Sequence, residues 1–83
     1  MRRNGITFDE LREFLLALGC STVEEKQRTT VAHPIVGTFL FLRPYRSKET
    51  VSARDMLVVR RQLVDNGLIE SSAFEQFLQK ASA

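Results

Sequence analysis

The stretch Val36-Gly37-Thr38-Phe39-Leu40-Phe41-Leu42-Arg43-Pro44 decides the fold of this chain. Between Gly37 and Pro44 the residues are apolar at both odd and even positions, which predicts a strand covered at least on one side by a helical layer. Phe39 and Phe41 project to one face and Leu40 and Leu42 to the other. One pair meets the helices, and the other is left for a second cover or for solvent. Until the covered pair is known, Phe39, Leu40, Phe41 and Leu42 are all candidate interface residues.

Upstream, Thr29, Val31 and His33 alternate with Thr30 and Ala32, and Pro34 ends that run before Ile35-Val36-Gly37 turns the chain. Earlier still, Thr22, Glu24 and Lys26 alternate with Val23 and Glu25. This run is poor in β-formers, and its acids suit an edge strand that must not pair with strangers. The two runs join near Gln27-Arg28, so the sequence predicts a three-stranded antiparallel meander.

Helices flank it. Thr7-Phe8-Asp9-Glu10 has the spacing of a capping box, with Ile6 and Leu11 at the positions of a hydrophobic staple. Phe8, Leu11, Phe14, Leu15 and Leu18 then form one apolar stripe that Gly19 ends, giving a helix over about 8–18. After the polar loop Pro44 to Val51, Ser52 is placed to cap a second helix over about 53–66, with Met56, Leu57, Val59, Leu63 and Val64 as its buried face and Gly67 as its stop. Ser72 and Glu75 have capping-box spacing for a short third helix over about 73–80 that buries Phe74, Phe77 and Leu78. Helices before and after a meander predict an α+β domain, α-β-β-β-α plus a short C-terminal α, with the helices on one sheet face.

The 83 residues predict one domain over 1–83, and 43% hydrophobic residues are enough for a small core. A chain of this size buries only about 60–65% of its unfolded surface, so a partner or a second copy would add stability. One cysteine, Cys20, forms no internal disulfide, and one cysteine with one histidine assembles no zinc site, so no metal or cofactor is expected. Both features point to a reducing, cytoplasmic setting. The apolar run after the basic Met1-Arg2-Arg3 is broken by Asp9, Glu10, Arg12 and Glu13, so neither a signal peptide nor a membrane span is predicted.

The net charge of +2 is uninformative, but its distribution is not. From Lys26 to Arg61 the chain holds Lys26, Arg28, Arg43, Arg46, Lys48, Arg54, Arg60 and Arg61 against Glu49 and Asp55. Asp9, Glu10 and Glu13 lie in the first turns of a helix, where carboxylates complement the dipole, and capping accounts for them.

The order of elements and several local motifs resemble the HicA family of small toxin mRNA interferases, which adopt the double-stranded-RNA-binding-domain fold. The resemblance is carried by Val59-Arg60-Arg61-Gln62-Leu63-Val64-Asp65-Asn66-Gly67-Leu68-Ile69, by Phe74-Glu75-Gln76-Phe77-Leu78, by His33-Pro34 and by Leu18-Gly19. It implies RNA contact along the first helix, through the loop between the first two strands and at the start of the second helix, by phosphates and 2′-hydroxyls. The nucleic-acid candidates are therefore Lys26, Arg28, Arg46, Lys48 and Arg54. An antitoxin-like protein partner or a homodimer is implied as well.

The chain departs from the family at the chemistry. The family's catalytic histidine stands in a Gly-Ser-His motif that this sequence lacks, and Arg28 or Thr29 occupies that place when His33-Pro34 is aligned. His33 is the one remaining imidazole and so the one candidate acid or base. The expectation is an RNA-binding domain without the family's cleavage chemistry, with an active ribonuclease or a protein-interaction module as alternatives.

Overall fold

The computed structural model describes residues 5–82, with side chains from 5 to 80. The basic Met1-Arg2-Arg3 lies outside them. The elements follow the expected order: α1 (Phe8–Ala17), β1 (Ser21–Glu24), β2 (Thr29–His33), β3 (Gly37–Leu42), α2 (Ala53–Asp65) and α3 (Ser71–Ser82). The sheet is antiparallel with spatial order β1-β2-β3, so the acid-bearing β1 is an edge.

Strand register assigns the two faces. Thr29 pairs with Leu42 and Val31 with Leu40, and these four side chains are buried against the helices. Phe8, Leu11 and Leu15 of α1, Val59 and Leu63 of α2, and Phe74 of α3 complete that core. Leu40 and Leu42 are therefore core residues and not interface residues, a correction to the sequence reading that only the strand pairing supplies. Phe41, 56% exposed, occupies the opposite face, whereas Phe39 is partly buried and packs against the core. A register shift between Val31 and Ala32 accommodates Phe39 as an extra residue on β3.

The capping box of α1 forms as the spacing predicts: Glu10 N–H donates to Thr7 Oγ1 at 3.3 Å and Thr7 N–H to Glu10 Oε1 at 2.9 Å. The staple pair Ile6 and Leu11 is buried. Helix α2 is capped by Ser52, whose Oγ accepts from Asp55 N–H at 3.2 Å. Its buried stripe is narrower than expected. Val59 and Leu63 are buried, but Leu57 is 64% exposed, because a position two residues before Val59 lies on the opposite side of a helix with 3.6 residues per turn.

The cap of α3 also differs. The Glu70 carbonyl accepts from Ala73 and Phe74 N–H groups at 3.1 and 3.2 Å, which places Ser72 inside the first turn. Glu75 faces Arg60 of α2 at 3.5 Å instead of returning to Ser72. Docking sets the entry to this helix: Phe77 lies parallel to Phe14 of α1 at 4.0 Å, and Phe74 meets both rings edge-on.

Candidate nucleic-acid interface

The β1–β2 turn closes with Glu25 N–H donating to the Arg28 carbonyl at 2.9 Å, and it holds Lys26 and Arg28 out in solvent. Glu24 pairs with Thr29, and Thr29 with Leu42, so this turn lies at the end of the sheet where β3 leaves through Arg43 and Pro44. The following segment is polar and aperiodic, yet it is firmly held. Phe8 and Asp9 N–H groups at the start of α1, two of the donors a helix leaves unpaired, donate to the Glu49 and Ser47 carbonyls, both at 2.9 Å. Val51 N–H donates to the Ile6 carbonyl at 2.8 Å, and Thr7 bridges Thr50. Within this frame Arg46 N–H donates to Glu49 Oε1 and Glu49 N–H returns to the Arg46 carbonyl, a tight turn that projects Arg46 and Lys48. Arg54 follows in the first turn of α2.

The topology thus gathers all five predicted nucleic-acid residues, Lys26, Arg28, Arg46, Lys48 and Arg54, at one end of the molecule. All are exposed, and among the described residues none has a carboxylate within ion-pair distance. Arg12 and Arg43 at this end are paired, whereas Glu25, in the turn beside Lys26, makes no ion pair among the described residues. Arg12 bridges Asp9 on its own helix and Glu24 on β1, the latter at 3.1 Å. Arg43 lies 3.8 Å from both Glu49 and Asp55 and sits over the Tyr45 ring at 4.5 Å. The Tyr45 contact foremost, then the two carboxylates, raises the proton affinity of Arg43, which stays charged.

Tyr45 itself is not a free stacking platform. It is buried, it lies parallel to Phe8 at 5.8 Å, and its hydroxyl donates to Asp55 and accepts from Ser52 N–H. Arg28 has a contact that the sequence reading missed: its guanidinium sits 5.0 Å from the centroid of the exposed Phe41 ring. The signal for it was the register Thr30–Phe41, which brings the residue two before Thr30 toward that ring.

His33 lies at the other end of β2, opposite Gly37 and about 13 Å from Thr29 at the usual rise of a strand. Its Nδ1 accepts from Ile35 N–H at 3.1 Å, and its Nε2 edge packs beside Gly19. It is therefore not brought together with the cations. The places that align with the family's catalytic histidine hold the stacked Arg28 and the buried Thr29. Among the described residues, no group of three His, Cys, Asp or Glu side chains is placed to hold a metal ion, and no helix is long and apolar enough to cross a membrane.

The class the fold defines is a small α+β domain with three helices packed over one face of an antiparallel three-stranded sheet. Comparisons of the chain with protein-family models, curated proteins and solved structures found no significant match.

Proposed function

We propose that this chain is a small RNA-binding domain of the double-stranded-RNA-binding type, allied to the HicA toxins but without their cleavage chemistry, that works in the reducing cytoplasm. One observation carries the reading: five cations from the β1–β2 turn, the 46–49 turn and the first turn of α2 stand exposed at one end with no carboxylate partner among the described residues. Fold stability does not account for them. Arg54 in particular stands at a helix N-terminus, where the macrodipole disfavours a cation by about 0.3–1 kcal/mol. A duplex backbone accounts for all five, because its phosphates meet cations spaced along a shallow surface and need no base readout.

Cleavage is left without a base. An arginine and a buried threonine stand where the family histidine would be, and neither accepts a proton near neutrality. His33 is a strand's length away from the cations.

Titrating the protein into labelled RNA duplex at low and moderate salt, while following strand integrity, tests the reading. Intact RNA is expected, with log K falling against log salt at a slope of up to about 4.5 in magnitude if all five cations meet phosphates and the B-form coefficient applies. Salt-independent binding or no binding overturns it. Cleavage that survives purification and disappears in His33→Ala assigns the ribonuclease alternative instead.

A further inference from the structure

We propose that the open face of the sheet is a second nucleic-acid surface, a platform for single-stranded RNA on which Phe41 stacks a base while Arg28 and Lys26 hold the neighbouring phosphates. This inference rests on the RNA-binding reading above and assigns a different surface and a different form of the ligand.

Register lays out the face in two rows: Val23, Thr30 and Phe41, then Ser21, Ala32 and Thr38. Val23 and Phe41 are each 56% exposed, and no described helix covers them. The rows offer an aromatic ring, aliphatic surface and hydroxyls, and no carboxylate. Glu24, the one acid within the three strands, is engaged by Arg12 from the helix side.

The Phe41 ring already carries a planar cation, the Arg28 guanidinium, at 5.0 Å from its centroid. A nucleobase offers a similar flat π-surface, and base-on-aromatic stacking tolerates any sequence because every base has such a face. Arg28 displaced from the ring is free to meet a phosphate or to cover the second face of the base.

Charge selects the occupant. The face and its margin hold Lys26 and Arg28 without carboxylate partners among the described residues, so whatever covers it brings negative charge and flat apolar surface together. A second copy laid face to face brings the same cations, with Glu25 of the turn as the one acid at that margin to meet them. Single-stranded RNA brings both features in one molecule. The two surfaces share the β1–β2 turn, so a strand leaving a duplex at the cationic end runs onto the sheet past Arg28.

The test uses fluorescence anisotropy with a labelled oligouridylate and a labelled RNA duplex, and light scattering on the free protein. Phe41→Leu keeps an apolar residue on an exposed strand position and removes the ring, and a thermal melt verifies its fold. We expect Phe41→Leu to weaken oligouridylate binding about 5- to 100-fold, Phe41→Tyr to retain it, and both to bind duplex like the unmodified chain. Equal oligouridylate binding by Phe41→Leu overturns the platform, as does duplex binding with no single-strand binding. Loss of both ligands at low salt overturns the RNA-binding reading itself and the platform with it. A dimer that dissociates in Phe41→Leu assigns the face to a second copy and also overturns the proposal.

Discussion

Tyr45 lies parallel to Phe8, ring centroids 5.8 Å apart, and its hydroxyl donates to Asp55 while accepting from Ser52 N–H at 3.1 Å. One side chain thereby joins the start of α1, the exit of β3 and the cap of α2. Tyr45→Phe keeps the stack and leaves Ser52 N–H and Asp55 short of a partner. A loss of about 1–2 kcal/mol is expected in urea unfolding, and Tyr45→Ala should cost about 3–5 kcal/mol. If Tyr45→Phe unfolds like the parent, the hydroxyl is not what aligns the two helix starts.

Arg12 ties α1 to the edge strand by bridging Asp9 and Glu24, with all three side chains partly exposed. Solvent screens such a pair, so Arg12→Ala should cost no more than about 1 kcal/mol at low salt and progressively less as salt rises. Melting temperatures of the two proteins across a salt series measure this directly. A constant difference would mean that the Arg12 guanidinium over Phe8, 6.0 Å from the ring centroid, is the larger contribution.

Gly67 follows α2 with φ +71°, and an added Cβ there would meet nothing within 4 Å. Only backbone conformation is at stake. Gly67→Ala is expected to lose about 1–2 kcal/mol and Gly67→Asn less, since asparagine visits the left-handed region more readily. Equal losses from the two variants would show that the helix stop does not depend on that conformation.

Cys20 is buried in the core, and burial raises its thiol pKa above the ordinary value. Its thiol holds its proton in the fold to a higher pH than in the unfolded chain, so the unfolded state binds fewer protons in the alkaline range. Its contribution to stability is therefore full below the ordinary thiol pKa, about 8.5, and declines as pH rises through the folded value. Cys20→Ala should show a shallower alkaline decline than the parent in urea midpoints between about pH 8 and 10. Thiol labelling of the native protein should be slow and should track unfolding.

The cations at the end of the fold should act on RNA affinity and not on folding. Lys48→Ala and Arg46→Ala are each expected to lower duplex affinity and to reduce the salt slope by about 1 in magnitude, while unfolding midpoints move by less than about 0.5 kcal/mol. Glu49→Gln in the same turn is the control. An equal change in slope from that variant would show that turn geometry matters more than charge.

Much of the architecture was legible in local patterns. Thr7 and Glu10, Ser52 and Asp55, and the glycines at 19 and 67 mark helix ends through interactions a few residues long, and each lies where its spacing says. The Ser72–Glu75 box misleads because Glu75 has a better-placed partner in Arg60, on another helix and outside the reach of any local signal. The cations, too, were identifiable by type.

What the amino-acid sequence determined alone was the order of elements, the meander, the helix caps at Thr7 and Ser52 and the identity of the charged residues, because these depend on periods and hydrogen bonds within a few residues. Tertiary structure alone decided which pair of β3 side chains is buried, that Arg28 lies on Phe41, that Tyr45 is a buried strut, and that His33 stands at the far end from the cations. Those facts depend on strand register and helix docking, and a shift of one residue in pairing exchanges the two faces of a strand without altering any local pattern.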